Sequence, residues 1–172
     1  MNADELRSLQ APLKDRYRDD SAAARLTLKA EGEIGSEGIA CRVDTGRAVV
    51  EAGLHPAAGG DGLSACAGNM LLEALVACAG VTLSAVATAL SIKVRGGRVM
   101  AEGDLDMSGT LGVRKDVPVG FAAIRLNFSV DSDANDEQLA TLLKLTERYC
   151  VVYQTLKTPA ALSSEIHTEA GW

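Results

Sequence analysis

The sequence lacks the short cysteine and histidine motifs that mark a zinc site or a thioredoxin-type redox centre. Its four cysteines, Cys41, Cys66, Cys78 and Cys150, include no CxxC pair, and neither of its two histidines clusters with them. Zinc sites and dithiol centres of this kind both depend on such close spacing. The sequence therefore predicts no metal site and no cofactor.

The sequence also lacks an excess of basic residues: it has 17 Lys and Arg against 23 Asp and Glu, which gives a net charge of -6. Nucleic acids and anionic membranes attract basic surfaces, so we expect neither as a partner. The N-terminal MNADELRSLQ lacks the basic and then apolar pattern of a secretory signal, which predicts a cytoplasmic location. Since cytoplasmic thiols are kept reduced, any disulfide should be transient.

The length, the hydrophobic content and the residue patterns of the chain predict one compact domain that contains both helices and strands. With 172 residues, 47% of them hydrophobic, the chain can bury a core, and we predict a single domain over 1–172. A helical extension is expected over residues 1–20 and the core over residues 25–169. Three segments, ARLTLKAEGEI, GIACRV and RAVVEAG, alternate polar and apolar residues and predict an antiparallel meander, while the tail SSEIHTEA predicts a closing edge strand.

The longest apolar segment of the sequence runs from Met70 to Ile92, and Glu73 is its only charged residue. About 20 apolar residues suffice to cross a bilayer, but this run contains several hydroxyl residues and has no basic residues on its N-terminal side, which favours a soluble helix. A helix that is apolar on every side must be covered on every side. The run therefore predicts burial in a dimer.

The second half of the chain predicts further strands and one more helix. KVRGGRVMAEGDLDMSGTLGV is typical of a long strand or hairpin arm, and FAAIRLNFSV of another strand. The leucine spacing predicts a helix from Glu137 to Tyr149, capped by Asp133 or Asn135. The order of strands and helices indicates an α+β fold.

Cys78 and Cys150 lie in different surroundings. The neighbours of Cys78 on its helix face are small or apolar, which disfavours the thiolate and predicts an inert thiol with a high pKa. Cys150 lies where one helix ends and VVYQTLKT could begin another. Two interpretations of Cys150 remain open: free amides and Arg148 lower its pKa, or it is a half-buried thiol at a helix junction.

Both cysteine segments resemble those of the OsmC/Ohr family, the osmotically inducible protein C-like and organic hydroperoxide resistance proteins. MLLEALVACAGVTLSAVATAL resembles the long central helix of that family, with Cys78 in the place of its first redox cysteine. ERYCVVYQTLKTP resembles the segment of its second cysteine, with Cys150 in the matching place. The loop AGGDGLSACAGNMLLEAL also fits, and the resemblance extends over residues 25–169.

The resemblance implies an α+β OsmC-like fold in which antiparallel sheets wrap around the long central helices of an intertwined homodimer. It also implies an activity, the reduction of organic hydroperoxides. Cys78 would attack a small hydroperoxide and become a sulfenic acid, which condenses with Cys150 to a disulfide. A dithiol reductant would then reopen the disulfide.

The family holds its first cysteine as a thiolate with an arginine, which a glutamate near the start of the central helix orients. The matching glutamate position falls at Gly68 or Asn69, and neither is charged. Glu51 is a candidate replacement, and Arg42 and Arg47 on the predicted meander are candidate arginines.

Some residues remain without an assigned role, and a second hypothesis stays open. Val151 stands where the family usually has proline after the second cysteine. His55 is a candidate acid–base group, and Cys66 a candidate additional thiol. The missing carboxylate favours the second hypothesis, a non-catalytic OsmC-fold dimer that binds a small apolar ligand or partner.

Overall fold

A computed structural model describes residues 2–8, 10–11, 31–34, 40–44 and 49–166. Residues 12–30, Arg47 and the end of the predicted tail strand lie outside the described residues. In chain order the elements are α1 (residues 3–8 and 10–11), β1 (Glu31–Ile34), β2 (Ala40–Asp44), β3 (Val49–Gly53), a 3-10 turn (Pro56–Ala58), β4 (Ala65–Cys66), α2 (Ala67–Ala89), β5 (Val94–Asp104), α3 (Met107–Thr110), β6 (Ala123–Ser132), α4 (Asp136–Tyr149) and α5 (Val151–Lys157). This mixture confirms the predicted α+β class.

The first sheet confirms the predicted meander. Its strands lie in the order β1-β2-β3-β4, and the first three pair antiparallel. The short strand β4 pairs parallel with β3, inside the glycine-rich segment that precedes α2. The register places Arg42 of β2 opposite Glu51 of β3.

The second sheet is the antiparallel pair β5 and β6. Along β6, half-buried residues alternate with exposed ones, as a strand with one covered face requires. Its covered residues, among them Leu126 and Phe128, pack against the buried cores that include α2. Beyond β5 the predicted strand is interrupted, because Asp106 caps the short helix α3.

The central helix α2 ends earlier than predicted, at Ala89 instead of Ile92. Ser91 adopts a left-handed φ of 56°, its amide donates to the Thr88 carbonyl, and the amide of Ile92 donates to the Ala87 carbonyl at 2.9 Å. These bonds form a Schellman motif, which satisfies the last carbonyls of the helix. Ile92 then packs on the apolar cluster around Leu83, as the motif favours.

Among the described residues, one stripe of α2 is buried. Its buried residues are Leu75, Ala79, Leu83 and Ala87, each four positions after the last. By contrast, Val81 is 72% exposed. In the described parts of the chain, α2 is the one helix whose length and composition would suit a membrane span. The described residues of one chain therefore do not supply the all-round cover that the apolar helix predicts.

Helix α4 confirms the predicted second helix and its cap. The cap is Asn135, not Asp133. Its side chain accepts a hydrogen bond from the Gln138 amide at 2.9 Å, and the Gln138 side chain accepts one from the Asn135 amide, which forms a capping box. Leu142 is 2% exposed and faces α2, whereas Leu143 is 43% exposed. The helix ends at Tyr149, and α5 begins only one residue later.

The predicted closing strand is wrong over residues 163–166, which form no regular structure. A strand needs a neighbour for its backbone amides and carbonyls, and the described sheets provide none here. Leu162 and Ile166 are each 95% exposed. The C-terminal segment therefore leaves apolar side chains uncovered.

Candidate thiol site

Cys78 and Cys150 come together between α2 and the junction of α4 with α5. Cys150 is the single residue between the two C-terminal helices, and its extended backbone, φ -73° and ψ 109°, turns the chain back over α2. Its thiol, 1% exposed, packs on Leu75 and Ala79, with Cys78 at the edge of the same cluster. Both are free thiols, and they lie in one packed cluster. The structure thus brings together the two cysteines that the sequence indicates.

The surroundings of Cys78 correct the prediction of an inert thiol. Burial raises the pKa of the Cys78 thiol, but hydrogen bonds from the Val152 amide, the Cys150 thiol and the Val151 amide outweigh burial. Thr82, whose hydroxyl donates to the Cys78 carbonyl at 2.8 Å, adds a smaller effect. The pKa of Cys78 is therefore held below its usual value. The helix face considered alone could not show this, because the deciding amides belong to α5.

The pKa of the Cys150 thiol is raised, opposite to that of Cys78. Burial raises the pKa of its thiol, and the hydrogen bond and charge of Cys78 raise it further, against the lowering effect of the Tyr153 and Val152 amides. The structure therefore supports a buried thiol at a helix junction for Cys150. Arg148 stacks over the ring of Tyr149, 5.5 Å from its centroid.

The two opposite shifts separate the roles that the thiols can take. A thiolate is the nucleophilic form of cysteine, so the lowered pKa makes Cys78 the better attacking group. A neutral thiol beside it carries a proton and can later form a disulfide with an oxidised neighbour. The arrangement is suited to two-step thiol chemistry, with Cys78 acting first.

Glu51 and the backbone of Arg42 lie at the far end of α2 from Cys78 of the same chain. Glu51 accepts a hydrogen bond from the Ser64 hydroxyl at 3.4 Å, close to the start of α2. At about 1.5 Å per residue, roughly 18 Å of helix separates Cys66, which caps α2, from Cys78. The groups that lower the pKa of Cys78 include no lysine or arginine among the described residues. Arg42 shares the register position of Glu51 and so belongs to the same distant end.

Other residues predicted from sequence take structural positions. Gly68 and Asn69 lie in the first turn of α2, where they supply no charge. The Nδ1 of His55 accepts from the Ala57 amide at 3.0 Å and so caps the 3-10 turn. Cys66 is half-buried at the start of α2. In the described parts of the chain, no group of three or more histidine, cysteine or acidic residues could hold a metal ion.

A cavity of about 380 Å³ borders the thiol cluster. Eight of its eleven lining residues are apolar, and the other three are Glu147, Tyr153 and Lys157. Leu75 and Tyr153 belong both to this lining and to the core around the thiols. Sequence reasoning did not identify Glu147, and its spacing from Cys150 gave no motif by which to find it.

Residues 60–165 match the family described as OsmC-like protein. The match covers more than half of the chain and contains both Cys78 and Cys150. The chain belongs to the OsmC-like family. A search of curated proteins gives no match.

Solved structures share the fold of this OsmC-like protein at low sequence identity. An OsmC-like protein from Mycoplasma pneumoniae is 15% identical with a TM-score of 0.64, covering 78% of this chain and 89% of that one. A structure from Legionella pneumophila, described as an organic hydroperoxide resistance protein OsmC, is 15% identical with a TM-score of 0.60, covering 77% and 90%. The organic hydroperoxide resistance protein OhrB of Bacillus subtilis is 18% identical with a TM-score of 0.54, covering 78% and 93%. The predicted OsmC-like fold is therefore confirmed.

Proposed function

We propose that this protein acts in peroxide-stress defence, as a thiol-dependent peroxidase that reduces small organic hydroperoxides. The observation that carries the proposal is the packing of Cys78 against Cys150 in one core cluster, where the pKa values of the two thiols are shifted in opposite directions. The names of the Legionella pneumophila and Bacillus subtilis relatives, which refer to organic hydroperoxide resistance, support the same class of substrate.

The first step in this mechanism is attack on the peroxide by the Cys78 thiolate. The sulfur bonds to the terminal oxygen, the O–O bond breaks, and the alkoxide leaves and takes up a proton to become an alcohol. Cys78 is thereby oxidised by two electrons to a sulfenic acid. The lowered pKa of Cys78 favours this step because it increases the thiolate fraction near neutral pH.

The second step joins the two cysteines. The Cys150 sulfur attacks the sulfenic sulfur of Cys78, the S–O bond breaks, and water leaves as the disulfide forms. An external dithiol then reduces the disulfide by thiol exchange and becomes a disulfide itself. Because the two cysteines already pack in one cluster, the second step needs little movement of α2 or α5.

A second copy of the chain would complete this site. The described residues leave the outer face of α2 uncovered, including the 72% exposed Val81, and apolar helix faces are normally buried. We therefore propose a homodimer in the cytoplasm, in which the partner's first sheet brings a cation to the thiols. The cross-strand pair of Arg42 and Glu51 is the proposed source, since it lies far from Cys78 of its own chain.

Peroxide consumption tests the proposal. Reduced protein is given tert-butyl hydroperoxide with dihydrolipoamide as the dithiol, and the rate of hydroperoxide loss is measured. We expect turnover by the wild type and by Cys66→Ser, whose thiol lies outside the pair, but none by Cys78→Ser. A wild type that consumes hydroperoxide no faster than Cys78→Ser would refute the proposed activity.

The uncharged Gly68 and Asn69 favour one alternative, a dimer of the same fold that binds a small apolar ligand without turnover. The cavity beside the thiol cluster would be its binding site. This alternative predicts that an apolar alcohol such as cumyl alcohol binds wild type and Cys78→Ser with equal affinity, while neither protein consumes peroxide. Calorimetric titration of the alcohol measures that affinity.

A further inference from the structure

Two cavities lie one after the other along the groove between α2 and β5. On α2, the first, of about 380 Å³, extends from Asn69 to Ala77, and the second, of about 800 Å³, from Gly80 to Thr88. Most of the α2 residues that line them recur every three or four positions, as residues on one face of a helix do. We call this the open face of α2, and it consists of Asn69, Glu73, Ala77, Gly80, Ser84 and Thr88. The described residues bury none of the six.

The two ends of the open face carry opposite charges. Among the described residues, Glu73 alone brings a charge to the first cavity. The second is lined by Lys93, Arg95 and Arg98, and the described chain contributes no acidic residue to it. Two aspartates already pair with Arg95, but Glu73, Lys93 and Arg98 form no ion pair within the described parts of the chain. The open face thus has an acidic end at Glu73 and a basic end at Lys93 and Arg98.

A second copy packed antiparallel would match both ends at once. Glu73 and Ala87 each lie seven residues, about 10 Å, from Gly80. If two open faces meet with their Gly80 residues opposite each other, Glu73 of each copy reaches the level of Ala87 in the other, where the basic cavity lies. A two-fold axis makes this contact twice. Parallel packing would instead set acidic end against acidic end and basic end against basic end.

Apolar surface beside the open face supplies the area that such a contact needs. Val81 is 72% exposed and Leu71 39%. Burial of apolar surface drives association, while charges select the arrangement, because like charges across an interface repel. Ala77, Gly80 and Ser84 carry short side chains, which allow a second helix to approach closely.

We propose that two copies associate through their open faces with the α2 helices antiparallel, so that Glu73 of each copy binds at Lys93 and Arg98 of the other. The inference rests on the homodimer proposed above and names the contacts that fix its orientation. The charge complementarity between the two ends of the open face carries it.

Sedimentation velocity of the reduced full-length protein over a range of concentrations tests this arrangement. Glu73→Lys reverses the acidic end, and the double variant Lys93→Glu with Arg98→Glu reverses the basic end. Glu137→Lys is the matched control, because it makes the same change of charge at an exposed position of α4 that lies outside both cavities.

We expect each reversed variant alone to dimerise with a Kd raised roughly tenfold or more, since like charges then meet at both contacts. The control should keep the wild-type Kd. An equimolar mixture of the two reversed variants should form a heterodimer about as tight as the wild-type dimer, because in the mixed pair every end meets the opposite charge. Native mass spectrometry identifies that heterodimer by its mass.

A mixture that associates no better than its separate components would overturn the proposal, and so would a Glu73→Lys variant that dimerises as tightly as the control. Circular dichroism checks that each variant is folded; if the double variant is not, Arg98→Glu alone takes its place in the mixture. A monomeric wild type would overturn this surface and the proposed homodimer together. Peroxide turnover is measured separately, and its absence would reject the peroxidase while a charge-dependent dimer still supported the antiparallel contact.

Discussion

Replacing Cys150 by alanine should raise the pKa of Cys78. In the structure the Cys150 thiol is one of the three main hydrogen-bond donors that lower that pKa, beside two backbone amides that the substitution leaves in place. A hydrogen bond to a charged group contributes about 1.5 to 3 kcal/mol, which corresponds to about 1 to 2 pKa units. Cys78 is only half-buried, so water replaces part of the lost bond and we expect a rise of about 1 unit.

The assay is the pH dependence of iodoacetamide alkylation at Cys78. Cys150→Ser is the informative companion, because its hydroxyl can still donate and should keep most of the lowering. Cys66→Ser is the control for loss of an unrelated thiol. Equal midpoints for wild type, Cys150→Ala and Cys150→Ser would refute the reasoning, since they would show that the Cys150 donor has no effect on Cys78.

Further predictions concern stability, measured by urea unfolding. Leu142→Ala should lose about 2 to 5 kcal/mol because Leu142 is 2% exposed, whereas the 43% exposed Leu143→Ala should lose far less; equal losses would contradict the packing of α4. Asn135→Ala should lose about 1 kcal/mol with its capping box, and no loss would contradict the cap. The pKa of Tyr153 is raised above its ordinary value of 10.0, so its contribution to stability is complete below that pH and is lost as pH rises through the folded pKa. The unfolding free energy of Tyr153→Phe should therefore fall less than that of wild type between about pH 9 and about pH 12, and parallel falls would argue against the shift.

The parts of the fold with long, regular patterns could be predicted from the sequence. The apolar run of α2, the alternation of β6 and the leucine spacing of α4 each depend on local periodicity, which burial on one face enforces. The end of α2 was misplaced because Ser91 adopts a left-handed backbone that favours glycine, so no sequence signal marked it. The tail strand failed because pairing depends on a neighbour that no local pattern can reveal.

The sequence could predict that Cys78 and Cys150 lie together, but not their electrostatics. The two cysteine segments were recognisable by resemblance, and the structure brings both thiols together. Their pKa shifts are tertiary effects: amides from α5 reach Cys78 of α2, while burial against Leu75 and Ala79 dominates at Cys150. Neighbours along one helix could reveal neither effect.

Disulfide mapping after a single oxidation tests the central claim most directly. Reduced protein is treated with one equivalent of tert-butyl hydroperoxide, alkylated, digested without reduction and analysed by mass spectrometry. The account predicts a link between Cys78 and Cys150, absent from Cys150→Ser, in which the sulfenic acid of Cys78 should persist and be trapped by dimedone. Oxidised protein in which Cys78 and Cys150 are not linked to each other, or a wild type left fully reduced, would contradict it.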